Sequence, residues 1–232
     1  MIKFINLFIF TLSVLCTSCK TLSFTEFRPT GKIANSLPAL ESVIDIRSLE
    51  NAYSLGSTVS SGIATSNKVY GSYVTVGSVS SVSYADKRVQ DAITLFEREV
   101  KDNLTDPEGD KSGYIAFKIS NGGGRESGYG LAFLSGLTCG VLNLCGMSFY
   151  NIKTKIEIEV EILDSNQNII SRYVGLGYQK SPIALWRGYN PQDAYRKSNI
   201  EALKKAMNDV KEKISAEYEF LNDKLTNSEK TK

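Results

Sequence analysis

Hydrophobic and polar positions alternate from Ile152 to Ile162, with Ile152, Thr154, Ile156, Ile158, Val160 and Ile162 on one side. Lys153, Lys155, Glu157, Glu159 and Glu161 fill the other. A period of two sends neighbours to opposite faces, so this is a strand with one face buried and one in water. The run Asp164-Ser165-Asn166-Gln167-Asn168 supplies turn chemistry, and Ile169 to Gln179 returns with Ile170, Val174, Leu176 and Tyr178 on one side. The pair predicts a β-hairpin.

Two stretches carry the helical period instead. Between Asp86 and Asn103, Val89, Ala92, Ile93, Phe96 and Val100 recur at spacings of three and four, and charged residues fill the opposite side, with Asp86 as the N-cap. Asn190-Pro191-Gln192-Asp193 has a capping residue, a proline at the first helical position and an acid in the first turn. The helix it opens presents Ala194, Tyr195, Ala202, Leu203, Ala206, Val210 and Ile214 as its apolar side. Arg196, Lys197, Glu201, Lys204, Lys205, Lys211 and Glu212 form its polar side. The pattern runs on through Leu221 and Leu225, which predicts final turns projecting beyond the domain, and residues 226–232 read as a polar tail.

Weaker signals fill the gaps. Ala39 to Tyr53 reads as a short strand or a helical turn, and Tyr114 to Ile119 as a strand followed by an Asn121-Gly122-Gly123-Gly124 loop. Residues 55–84 are rich in Ser, Gly, Thr and Val, with alternation from Tyr73 to Gly77; they read either as a flexible loop or as a mobile or membrane-facing hairpin. Ser181 to Tyr189 holds Trp186, the only tryptophan, as either a plug over one end of the core or a partner contact. Together these elements predict an α+β fold: an antiparallel-rich sheet with an amphipathic helix and a long C-terminal helix packed on one face, a two-layer sandwich. The expected division is 1–18 leader, 19–38 tether, 39–225 one domain and 226–232 tail.

The stretch from Ser127 to Ile152 has no charged side chain and is long enough for a transmembrane helix. A span there would separate the strands and helices on either side, and neither half could bury its apolar face. Five glycines also break it, each costing about 1 kcal/mol relative to Ala inside a helix. The stretch is therefore expected to be an apolar insertion of the single domain, a buried or membrane-facing hairpin or short helical excursion. Leu131, Phe133, Leu134 and Leu137 are its candidate membrane or partner contacts, along with Trp186 outside it.

The N-terminus has a single Lys3, an apolar run and small residues before Cys19. That is a secretory layout. It resembles a bacterial lipoprotein signal, with Leu15-Cys16-Thr17-Ser18-Cys19 in place of the usual box, where Cys16 departs from the expected Leu or Val. The resemblance implies acylation of Cys19 and stable anchoring through the combined chains. The alternatives are an ordinary signal peptide cut near Ser18 or an uncleaved anchor. Once Cys16 is removed and Cys19 acylated, Cys139 and Cys145 remain, as buried thiols or as a disulfide. Their surroundings make a poor zinc site.

Composition narrows the chemistry. The chain has no histidine, which removes the commonest general base and metal ligand along with the His-paired nucleophiles. Its formal charge of +2 and lack of a long basic run leave no electrostatic footprint for nucleic acid. Neither Gly122-Gly123-Gly124 nor Gly175-Leu176-Gly177 precedes a Lys-Ser/Thr or a helix start, so no phosphate loop and no cofactor is expected. The acids Glu157, Glu159 and Glu161 read as a solvated strand face rather than as catalysts.

A helix, a strand, hairpin strands and a long C-terminal helix behind such a leader resemble the small α/β periplasmic domain of bacterial, Bacteroidetes-type outer-membrane lipoproteins. The order of elements is loosely similar to that of the penicillin-binding-protein activators and the curli- or polysaccharide-secretion lipoproteins, while the composition and leader resemble those of the Bacteroidetes type. IEIEVEILDSNQNIISRYVGLG followed by NPQDAYRKSNIEALKKAMNDV carries the likeness, over roughly 86–214. It implies a non-enzymatic lipoprotein of the outer membrane, periplasmic or surface-exposed, binding an envelope protein or polymer. The alternative is a homo-oligomeric secretion or pore subunit with 55–84 and 127–152 as membrane-facing hairpins. Against that, Leu131 to Leu134 is apolar on both faces, where a pore strand alternates.

Overall fold

The computed structural model describes residues 22, 24–31, 33, 35–53, 69–70, 73–75, 87–128, 130, 133, 136–137, 148, 150–183 and 191–229. A single 3-10 turn, Phe24–Phe27, precedes β1 (Leu40–Asp45) and α1 (Ile46–Tyr53). Two short strands follow, β2 (Val69–Tyr70) and β3 (Tyr73–Thr75), then α2 (Lys87–Glu99). Three strands of 15 residues each come next: β4 (Gly113–Ser127), β5 (Tyr150–Asp164) and β6 (Ile169–Ile183). The chain ends in α3 (Pro191–Ala216) and α4 (Tyr218–Glu229).

These strands form one sheet in the order β2-β3-β1-β4-β5-β6. β1 runs parallel to β4, and every other neighbour pair is antiparallel. The helices pack on one face, so the α+β two-layer class is observed. The core joins Ile44 and Leu49 to Phe96, Leu95 and Leu104, and to Ile115, Phe117, Ile156, Ile158, Val160 and Ile162. Phe96 stacks on Phe117 with ring centroids 4.6 Å apart. The alternating set of β5 lies inward as its pattern predicts, and the Ala39–Tyr53 stretch supplies both a strand and a helix.

The hairpin turn rests on Asp164. Its carboxylate accepts from the backbone N–H of Asn166 and Asn168, at 2.8 Å each, and from the Asn168 amide at 3.0 Å. Burial alone would raise its pKa, but these hydrogen bonds favour the anion and hold the group below its ordinary value. Gln167 completes the turn with φ 70°.

The face of β6 differs from its pattern. A register shift between Ile162 and Leu163 turns Ile170 toward the core while Val174, Leu176 and Tyr178 point outward. The inward positions are Tyr173, Gly175 and Gly177. A Cβ on Gly177 would lie 1.8 Å from the Ala202 carbonyl oxygen, and one on Gly175 would lie 2.3 Å from that of Ala206. Glycines opposite alanines thus bring the backbone of α3 against the sheet.

That proximity also closes the sheet edge. Lys205 Nζ donates to Tyr178 O at 3.0 Å, Asp209 Oδ2 accepts from Leu176 N–H at 3.1 Å, and Lys213 Nζ donates to Val174 O at 2.6 Å. Four helical residues rise about 6 Å and two strand residues about 6.7 Å, so the two ladders stay in step across three rungs. Three of the backbone groups that would otherwise template strand addition, Val174 O, Leu176 N–H and Tyr178 O, are occupied in the middle of the strand.

Other expectations change where contacts are non-local. The 19–38 segment is docked in its described part: Leu37 is buried and exchanges backbone hydrogen bonds with the Leu104–Asp106 stretch. Thr30 donates through its N–H and hydroxyl to Glu99 Oε1 at 2.7 and 2.8 Å. Lys211, assigned to the polar side of its helix, is instead buried; it donates to Glu99 Oε2 at 3.0 Å, to Gly31 O at 3.0 Å and to the Thr30 hydroxyl. The Asn121–Gly124 stretch is strand, paired with Glu157 to Thr154, and a Cβ would meet Ala52 at Gly122 and the Tyr195 ring at Gly124. Nor do the last turns project. The helix is interrupted only at Glu217, and α4 continues from it with Leu221 and Leu225 buried in the core and helix persisting to Glu229.

Gly177→Ala is expected to lower stability by about 3 kcal/mol, since helix and sheet must part to admit the methyl group. Gly123→Ala, with nothing within 4 Å of its Cβ, is the control. Urea midpoints should fall sharply for the first and change little for the second.

Candidate functional site

The inner face of the sheet is covered by helices, and the outer face of β5 and β6 is where exposed side chains gather. Residues directly opposite in an antiparallel pair share a face, so the outer face can be read row by row. At one end Glu161 lies opposite Arg172, and Glu159 lies opposite Lys118 on β4. Arg172 reaches both acids at 2.7 Å, and Lys118 sits 2.9 Å from Glu159. This end is electrically closed.

Beyond it runs an apolar stripe on β6. Val174, Leu176 and Tyr178 are 41%, 54% and 52% exposed, unusual for three alternate side chains whose strand edge is already sealed. A single exposed Leu needs no explanation, but a contiguous row is a mark of contact surfaces. At the far end Arg125, Lys153 and Lys180 occupy one row across three strands, and Lys155 stands opposite Tyr178.

Where the stripe meets the end of α3, a cleft of about 480 Å3 opens among Arg172, Tyr173, Val174, Lys213 and Glu217. The Tyr173 hydroxyl donates to Glu217 Oε2 at 2.7 Å. Burial, together with that carboxylate, pushes its pKa up to about 12. A phenol held protonated this firmly is a fixed donor; general acid–base work near neutrality needs a group poised near the operating pH. The cleft therefore offers recognition chemistry, a guanidinium, an ammonium and a phenol–carboxylate pair beside an apolar wall.

Of the sequence-derived contacts, Phe133 and Leu137 fall on helical backbone and are 71% and 67% exposed. Cys19, Leu131, Leu134, Trp186, Cys139 and Cys145 lie outside the described residues. Among the described residues no helix is long and apolar enough to cross a membrane, and no group of three or more His, Cys, Asp or Glu could hold a metal ion. Glu126, at the root of the insertion, accepts from the Tyr195 hydroxyl at 2.6 Å. Neighbouring Tyr150 has its pKa raised by burial and by Glu126.

The stripe and the cleft were not singled out from the sequence. The usable signal was the alternation of Gly175 and Gly177 with Leu176 and Tyr178, which marks a strand whose glycine side meets another backbone. No family model matches the chain, and neither a curated protein nor a solved structure does. Its surface must be read from its own geometry.

Because Tyr173 ionises near 10 when unfolded and near 12 when folded, its contribution is fully present below pH 10 and is lost as pH rises through 12. The stability gap between wild type and Tyr173→Phe should narrow over that window, read as the difference between their denaturation midpoints. A constant gap would contradict the raised pKa.

Proposed function

We propose that this chain is a non-enzymatic cell-envelope lipoprotein, held at the outer membrane by acylation of Cys19, that acts as a binding or assembly module. The observation that carries the binding role is the exposed row Val174, Leu176 and Tyr178 above a closed strand edge. A strand that recruits partners by extending the sheet keeps its edge open. Here the edge is closed and the face is apolar, so the partner, an envelope protein or polymer, is met side chain to side chain. The adjoining cleft supplies the polar contacts that fix orientation. The other reading, an oligomeric secretion or pore subunit, places its membrane-facing hairpins at 55–84 and 127–152, and the apolar run Leu131 to Leu134 lacks the alternation that a pore strand needs.

A photo-crosslinking residue at position 176 should give a discrete adduct in cells, and one at 201, on α3, should not. Leu176→Asp should abolish the function read in vivo while shifting the melting midpoint little, since exposed substitutions usually stay within about 0.5 kcal/mol. Failure of both would remove the stripe from consideration. For the anchor, palmitate labelling should be present in wild type and absent in Cys19→Ala; unlabelled wild type would refute lipidation.

A further inference from the structure

We infer that the basic end of the outer face seats against an anionic lipid surface, a second membrane contact that goes beyond the acyl anchor and stands without it. Arg125, Lys153 and Lys180 are direct cross-strand partners on β4, β5 and β6, and Lys155 stands one row further in. All four are exposed, and among the described residues none is in an ion pair. Like charges directly opposite one another destabilise a sheet. The same face shows the alternative: two rows away, cations and acids are matched at 2.7–2.9 Å. Four cations in a chain of net charge +2 are therefore a local concentration without an ion-pair partner among the described residues. The nearest acids do not neutralise it. Glu126 faces the helices and holds Tyr195, and Glu157 lies one row beyond Lys155.

Charge complementarity alone calls for an anion, and the neighbouring chain specifies which kind. Arg125 lies two residues before the end of β4 and Lys153 three residues after the start of β5, so the apolar insertion leaves and re-enters the sheet beside this row. Phe133 and Leu137 are 71% and 67% exposed, and Phe133 is within about 20 Å of Ser127 by chain length. Exposed apolar side chains joined by so short a length of chain to a cluster of Lys and Arg form the composition of an interfacial contact: the apolar groups enter the acyl boundary and the cations meet the headgroups. An acidic protein would satisfy the cations but would leave the two apolar side chains in water.

The test uses the full-length chain and vesicles of phosphatidylcholine, alone or mixed with phosphatidylglycerol, with partitioning read by flotation. Any N-terminal insertion acts on both compositions, so the preference for the anionic one is the readout. Wild type should prefer the anionic vesicles by at least tenfold at about 0.1 M salt and lose that preference near 1 M, where the screening length falls to about 3 Å. The variant Arg125→Gln/Lys153→Gln/Lys155→Gln/Lys180→Gln should lose the preference at low salt, each cation contributing about fivefold. Phe133→Ser/Leu137→Ser should weaken binding to both compositions while keeping the preference. Equal partitioning of wild type, or a preference that survives either the glutamines or high salt, would overturn the inference. The salt series needs no variant and holds even if the glutamine protein folds poorly. Palmitate labelling is blind to these four cations, so the anchor and the second contact fail separately.

Discussion

The structure depends on the backbone-to-backbone approach of α3 to β6 at Gly175 and Gly177 against Ala202 and Ala206. No Cβ fits between them, so the inner side of β6 carries no apolar side chains there, and the residues that alternate with the glycines face outward. The same closeness lets Lys205, Asp209 and Lys213 reach the strand edge. One constraint accordingly produces three features: a tight layer interface, a sealed edge and an exposed apolar stripe. A larger inner residue at either glycine would relax all three together.

Burial of charge along α3 then fixes what docks on it. The Lys211–Glu99 pair is almost fully buried and sits in a set of hydrogen bonds with Asn103, Thr30 and Gly31. Such a pair adds little net stability over a well-packed apolar one, but breaking it costs about 3–5 kcal/mol, because the remaining charge is stranded. Its contribution here is specificity: it selects one seat for the N-terminal segment. Arg196 works similarly at the other end of the helix, gripping Asp91 through two contacts of 2.8 Å. That carboxylate is the main reason the guanidinium pKa rises further. With Lys197 bound to Glu26 at 3.1 Å, α3 holds α2, the 3-10 turn and the segment before β1 in fixed relation.

Legibility in the sequence followed the range of the interactions. The β5 alternation, the Asp164 turn and the two amphipathic helices are local patterns, and each was placed where it folds. The face of β6 was not legible, because periodicity assumes that the apolar parity is the packed one, and glycines at a close approach reverse that. Thr30, Glu99 and Lys211 are separated by 69 to 181 positions, and nothing local in a Lys among Lys and Glu marks it for burial. The site suffered from the same reversal. Val174, Leu176 and Tyr178 stand on one side of the strand in the alternation, but alternation alone does not say which side meets the helices; the glycines between them do.

The outer face also has a polarity that matters for any partner. From Arg172 to Lys180 the strand covers about 27 Å, with paired charges and the cleft at one end, the apolar stripe in the middle and unpaired cations at the other. If the cationic end rests on a bilayer, strand direction alone carries the stripe away from the surface and lifts the cleft roughly a protein radius above the headgroups. A flexible tether would leave that orientation random. The docked N-terminal segment does not, because Thr30 and Gly31 are held to α3 and Leu37 to the turn after α2. An anchor at Cys19 would then be joined to the body only seven residues before the clamp of Glu26 on Lys197. Even fully extended, that link spans less than about 25 Å. Short reach, a fixed seat and a cationic end all act on the same degree of freedom, the angle at which the sheet meets the membrane.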